Sequence, residues 1–259
     1  MLLTIGLLTW LLLMFSMERI WLRRGSADAT FRRVGANLFL GGINWGLARL
    51  LVPGGLVLVA LFAEVRLWGA WPFLGLNGIF EIILSIVFLD LAIWLQHWAS
   101  HKIGWLWRIH RVHHLDICVD ASTAVRFHPA EIFVSLAYKA MLIISLGISS
   151  FAVASFEILL AASAMFNHAN MRLPDSLDKM LRVLIVTPDM HRIHHSIDRS
   201  EHDTNFGFFF SFWDKVFGVY TENPKTPHVK MLLGLHESRV ATRVRSLWHL
   251  LLAPFVTKI

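Results

Sequence analysis

The chain has 259 residues, of which 56% are hydrophobic and only 16% charged, against about 25% charged in an ordinary soluble domain. That balance excludes a soluble globular protein and points to a bilayer. A formal charge of +6 would suit nucleic acid, but no basic tract interleaves with polar or aromatic base-reading residues, and the cations instead flank apolar runs, as they do beside membranes.

Met1 to Met17 is apolar and continues amphipathically through Ile20, Trp21 and Leu22, just long enough to span about 30 Å of hydrocarbon. Without a basic leader or a small-residue cleavage site it reads as a retained membrane helix, not a signal peptide. Arg19, Arg23, Arg24, Arg32 and Arg33 crowd the loop that follows. Val34 to Ala63 is apolar but broken by Arg49 and Pro53-Gly54-Gly55; it reads as one kinked span, with a span plus an interfacial piece as the alternative. Beyond Trp68 and Trp71, a third run from Leu74 to Leu95 delivers the chain to His97.

From His97 to Pro129 the sequence is polar and histidine-rich, and Pro129 suits a first helical turn. Ile132 to Phe166 is apolar over 35 residues, with Gly147 and Ser149-Ser150 near its middle. It is too long for one crossing and predicts a helical hairpin, which returns His168 to the side of His97. A short amphipathic helix around Leu177 to Val186, an aromatic stretch from Phe206 to Tyr220, and an interfacial helix from Ser246 to Val256 carrying Trp248 complete the chain. The expected fold is all-α and polytopic, with about four to five transmembrane helices under a helical cytoplasmic cap. Residues 1–259 read as a single domain. Of the 24 Lys and Arg, 21 lie in three segments (Arg19 to Arg33, Lys102 to Arg126, Arg172 to Lys258) that five crossings put on one side; the positive-inside tendency makes that side the cytoplasm.

Three histidine boxes hold eight of the 14 histidines: His97 and His101; His110, His113 and His114; His191, His194 and His195. Residues at i, i+3 and i+4 share a helix face, so each HxxHH is expected to aim three imidazoles at one point. With His168 the set reaches nine. A structural zinc takes four groups and a catalytic zinc three, so nine donors suit two metals with open positions. Cys118 is the only cysteine, which leaves imidazole as the donor, and imidazole serves zinc, copper, iron and nickel alike. Lone histidines such as His236 and His249 read as ordinary helix-end or core residues.

The boxes are similar to those of the sterol desaturase and fatty acid hydroxylase superfamily of membrane di-iron enzymes. The likeness extends to Arg126-Phe127-His128-Pro129-Ala130-Glu131, to Asn167-His168-Ala169-Asn170, to Thr187-Pro188-Asp189-Met190, and to Asp203-Thr204-Asn205-Phe206-Gly207 with Phe212-Trp213-Asp214, a pattern common in bacterial members. It covers Leu91 to Tyr220. The resemblance implies two iron ions, replaceable by zinc on purification, held by His97, His101, His110, His113, His114, His168, His191, His194 and His195. It implies oxidation of a lipid C–H bond with O₂, in a bacterial inner membrane, using an external electron donor such as a ferredoxin, a cytochrome b5-like protein or a reduced pterin. Some members carry a tenth histidine just after the one matching His168; Asn170 stands in that neighbourhood, and water, Asn170 or His128 is the candidate to fill the position.

Ligating histidines usually donate their second N–H to a carboxylate or carbonyl. Asp189, directly before the third box, and Asp203 are candidates, as is Asp90, two helical turns before His97. Glu157 stands in the same relation to His168, three turns away. Asp90 and Glu157 each read as a partner of the histidines, as the polar end of a substrate tunnel or, equally, as an interhelical hydrogen bond, Glu81 only as the last, and Lys139 as paired with an acid or snorkelling. A membrane zinc-dependent lipid hydrolase is the main alternative, though it leaves at least five histidines unused. A b-type cytochrome would need histidines deep in facing spans, and a metal carrier would form no lipid product.

Overall fold

Proline and glycine cut the apolar sequence into helices of lengths a bilayer accepts. The computed structural model describes residues 2–25, 31–240 and 246–256; Arg243, Arg245 and Lys258 of the basic C-terminal segment lie outside the described residues. In chain order the helices are α1 (Leu2–Ile20), α2 (Phe31–Leu51), α3 (Gly55–Val65), α4 (Ala70–Phe73), α5 (Gly78–Lys102) and α6 (Gly104–His114). A 3-10 turn at Ala121–Val125 leads to α7 (Pro129–Leu146) and α8 (Ser150–His168). Short helices follow: α9 (Asp175–Leu181), α10 (Pro188–His194), α11 (Arg199–His202), α12 (Phe212–Val216), α13 (His236–Val240) and α14 (Leu247–Leu252). Among the described residues β pairing is confined to isolated bridges, so the fold is all-α. Among the described residues four segments, Phe31–Phe73, Gly78–Lys102, Pro129–Leu146 and Ser150–His168, are long and apolar enough to cross a membrane.

In lipid, helices associate through close packing more than through expulsion of water, which favours small residues at the contacts. Ala60 of α3 and Ala152 of α8 are fully buried where these helices meet Leu89 and Ile93 of α5 and Ile143 of α7. α1 lies along α8 through Leu11 and Met14 against Ala164 and Met165.

The apolar stretch 132–166 is a hairpin. Gly147 ends α7 with φ of 69° and Ser149 caps α8, its hydroxyl accepting from Ala152 N. A left-handed φ suits glycine, and crowding requires it as well, because a Cβ on Gly147 would collide with Trp68 O. Glu81 of α5 fixes this turn by accepting from Ser149 N at 3.0 Å and Ser149 Oγ at 2.7 Å. The kink at Pro53-Gly54-Gly55 separates α2 from α3, yet together they traverse the bundle once. Arg33 at the start of α2 pairs with Asp116 at 2.7 Å, whereas Gly69 beyond α3 abuts Gly147 at the hairpin turn.

The ends of α1, α5 and α8 and the starts of α2 and α7 therefore gather at one face. Glu18 of α1 ties that face together by accepting from Ala121 N at 2.8 Å and Asn170 N at 2.7 Å. α14 closes it from the side, burying Leu250 against Leu40, Val112 and Leu115 while Trp248 stays exposed.

Candidate metal centre

Four helices bring the histidines to this face: His97 and His101 from the last turns of α5, His110, His113 and His114 from α6, His168 from the last residue of α8, and His191 and His194 from α10 with His195 just beyond it. All nine are buried, none more than 4% exposed. They fall into two groups: His97, His101, His110, His114 and His194 in one, and His113, His168, His191 and His195 in the other, with ligand atoms of each group within 4.8 Å of one another.

The expectation that each HxxHH aims at a single point is thus corrected. His113 parts from His110 and His114, and His194 from His191 and His195. The reason is helical geometry: adjacent residues point about 100° apart at 3.6 residues per turn, so the final histidine pair of a box straddles its helix face and serves both groups.

Hydrogen bonds fix which nitrogen looks inward. His97 Nδ1 donates to Phe206 O at 2.7 Å, His168 Nδ1 to Ala164 O at 2.7 Å and His194 Nδ1 to Thr204 O at 2.8 Å. His110 Nδ1 lies 2.7 Å from Glu131 Oε1, and His101 Nδ1 lies 3.3 Å from Asp203 Oδ1. A neutral imidazole has one donor and one acceptor nitrogen, so each of these rings turns a bare lone pair inward at Nε2. Around His168 Nε2 the Nε2 atoms of His113, His191 and His195 stand at 3.0, 3.1 and 3.2 Å. One lone pair cannot accept from three donors, and Nε2 of His97, His101 and His194 has no hydrogen-bond partner among the described residues. Converging, buried acceptors of this kind fit a cation. Burial first, and crowding by the other rings second, holds His113, His114, His191, His194 and His195 well below the ordinary imidazole range, so they are neutral and free to ligate at neutral pH.

Other candidates lie elsewhere. His128 stands apart from both groups; its Nδ1 accepts from Ala130 N at the start of α7 and its Nε2 faces Leu251 O, a consequence of Pro129 opening the helix directly after it. Asp189 bonds Arg23 and Arg192, with no box histidine among its partners. Asn170 donates to Arg24 O. Asp90 accepts from Phe209 N, Phe210 N and Trp213 Nε1 at 3.3, 3.2 and 2.9 Å, and so anchors the aromatic stretch to α5.

Two side chains at the site escaped the sequence reading. His202 of α11 sits with His101 and Asp203 as a third cluster, its ring 4.4 Å from that of His114, and burial pushes it down to about 3. Glu131 orients His110. Its signal was the Pro129-x-Glu131 spacing, which sets the carboxylate in the first turn of α7. Asp214 acts one step further out. It accepts from Phe206 N, Gly207 N and Trp94 Nε1, which holds the Phe206 carbonyl against His97, and burial raises its carboxyl to about 6. Glu131→Ala is expected to weaken metal retention about 10–100-fold, the usual effect of losing an outer partner, while Glu131→Gln, which keeps an acceptor oxygen, should retain most of it. Chelator competition measures both, and equal retention in Glu131→Ala and the unsubstituted protein would refute the role.

A cavity of about 290 Å³ opens beside the first group, lined by His97 and His110 at the histidine end and by Ile93, Ile132, Leu160 and Phe208 along its walls.

The family model for fatty acid hydroxylase matches residues 82–219, which takes in every box and His168. Alkylglycerol monooxygenase of Caenorhabditis elegans is 27% identical over 206 residues, covering 77% of this chain and 40% of that protein. Ornithine lipid hydroxylase OlsE of Rhizobium tropici is 26% identical over 148 residues, 57% of this chain and 44% of that one. Human cholesterol 25-hydroxylase is 23% identical over 140 residues, 54% and 50% respectively. The chain thus spans about half the length of the curated relatives it matches, or somewhat less. No solved structure matches. With its boxes, hairpin and neighbouring elements all inside one family's pattern, the chain belongs to the fatty acid hydroxylase family of the sterol desaturase and fatty acid hydroxylase superfamily.

Proposed function

We propose that residues 1–259 form one membrane domain that uses O₂ to hydroxylate or desaturate a lipid at an unactivated C–H bond. The observation that carries this reading is the pair of adjoining imidazole clusters, five donors and four, buried beside an apolar cavity. Two iron ions held there by His97, His101, His110, His114 and His194 and by His113, His168, His191 and His195 would supply the activation of O₂, which no side chain can provide. The chain's own residues do the rest. Glu131, Asp203 and the carbonyls of Phe206, Ala164 and Thr204 set the imidazole orientations. Ile93, Ile132, Leu160 and Phe208 accept a hydrocarbon tail and exclude water around it. The names of the relatives, lipid hydroxylases and a monooxygenase, support the reaction class.

Electrons come from outside, since the sequence holds neither a dinucleotide glycine fingerprint nor a set of cysteines for an iron–sulfur cluster. The basic face suits an acidic ferredoxin or cytochrome b5-like protein, and a reduced pterin is the small-molecule counterpart. By the positive-inside tendency that face is cytoplasmic, in a bacterial inner membrane. The test is iron-loaded protein in nanodiscs with membrane lipids, a reductant and isotopically labelled O₂. The expected result is a product hydroxylated with label or a desaturation that needs O₂. Turnover by a zinc-only preparation without O₂ would instead establish the lipid hydrolase.

A further inference from the structure

The far end of the cavity is an ion pair set in the middle of the bundle. Lys139 Nζ donates to Glu157 Oε1 at 2.6 Å, and both residues line the cavity that has His97 and His110 at its other end. Lys139 lies ten residues into α7, about 15 Å from Pro129, and Glu157 lies eleven residues before His168, about 16 Å along α8. Charged groups at that depth are expensive and rarely without purpose. The Lys139 side chain is only 9% exposed while that of Glu157 is 33% exposed, so the cavity reaches the lipid-facing surface of the bundle at this pair.

We propose that Lys139 and Glu157 bind the hydroxyl of a neutral lipid alcohol whose hydrocarbon runs up the cavity to the histidines, and that they reject lipids with an anionic headgroup. This rests on the reading above that the cavity receives the substrate. An ammonium has three donors, of which one goes to Glu157, and a carboxylate only accepts. Side by side they present a donor and an acceptor, and a hydroxyl is the simple group that answers both. The pair is also neutral in sum. A fatty-acid carboxylate or a phosphate would meet Glu157 as a like charge at low dielectric, where such repulsion is strong, whereas an alcohol brings no charge.

The test compares dodecanol, dodecanoate and dodecane for binding to the metal-loaded full chain, by competition in native mass spectrometry. The expected order places dodecanol first, about tenfold over each of the others, the factor that one desolvated hydrogen-bonding group is worth. Glu157→Gln keeps an acceptor for Lys139, and with it the tie between α7 and α8, but leaves the cation unbalanced, so selectivity should swing about tenfold towards dodecanoate. Lys139→Met should erase the preference of dodecanol over dodecane. Selectivity in Glu157→Gln equal to that of the unsubstituted chain would overturn the proposal and leave the pair as an interhelical tie. Binding is read apart from turnover. A chain that prefers dodecanol yet oxidises no lipid overturns the oxygenase reading and keeps this one, whereas one that oxidises lipid but binds dodecanoate as well as dodecanol overturns this one.

Discussion

Alanine at His113 and alanine at His114, one residue apart, are expected to affect different metal positions and to do so unequally. His113 is one of four imidazoles in its group, and its removal leaves three, His168 with His191 and His195 around its Nε2. That group should lose its ion, taking metal content from about two to about one per chain and lipid oxidation below detection, since a closed site uses four ligands. His114 is one of five. Four donors remain without it, so metal content should stay near two ions while product formation falls. Metal analysis of the purified variants checks both, with Mössbauer spectra to tell which position is lost. Equal loss in the two variants would show that the groups act as one undivided cluster.

Why the partition needs the structure, while the boxes do not, is a matter of angles. Periodicity tells which residues share a helix face, and His97 with His101 obeys it. It does not tell where two other helices will put their own rings, and adjacent histidines about 100° apart are sorted only by what lies on either side. The hairpin was legible because apolar length exceeded one crossing and Gly147 and Ser149 marked the turn. Closeness in sequence was a poorer guide to supporting residues. Asp189 directly precedes a box but turns to Arg23 and Arg192, whereas Glu131, seventeen residues past His114, reaches His110 because Pro129 starts a helix beneath it. Asp90 shares a face with His97 as its spacing implies, but that part of α5 is covered by the returning stretch 209–213, whose N–H groups take the carboxylate.

Asp116→Ala is expected to be the most destabilising change outside the histidines. Asp116 is 1% exposed, and its Oδ2 accepts from Arg33 NH1 at 2.7 Å, Asn37 Nδ2 at 3.1 Å and Thr123 Oγ1 at 2.9 Å, while Oδ1 accepts from Cys118 N at 3.2 Å. The carboxylate therefore joins α2 to the segment between α6 and α7, and it lies two residues past His114. Its loss leaves Arg33 with Asp120 but takes away its most buried partner. Removing one member of a buried pair costs about 3–5 kcal/mol, and in a chain of this size that lowers Tm by roughly 10 °C. Asp116→Asn keeps the shape and much of the hydrogen bonding, so it should lose less. No histidine of either group bonds the Asp116 carboxylate, and the backbone bond from Asp116 N to His113 O survives the substitution, so folded Asp116→Ala protein should hold metal far better than His113→Ala. Thermal unfolding in detergent with metal analysis of the folded fraction separates the two effects. A Tm within 2 °C of the unsubstituted protein would mean that packing of α2 through Leu40 against Val112 and Leu115, not this polar network, fixes the end of α6 under the metal centre.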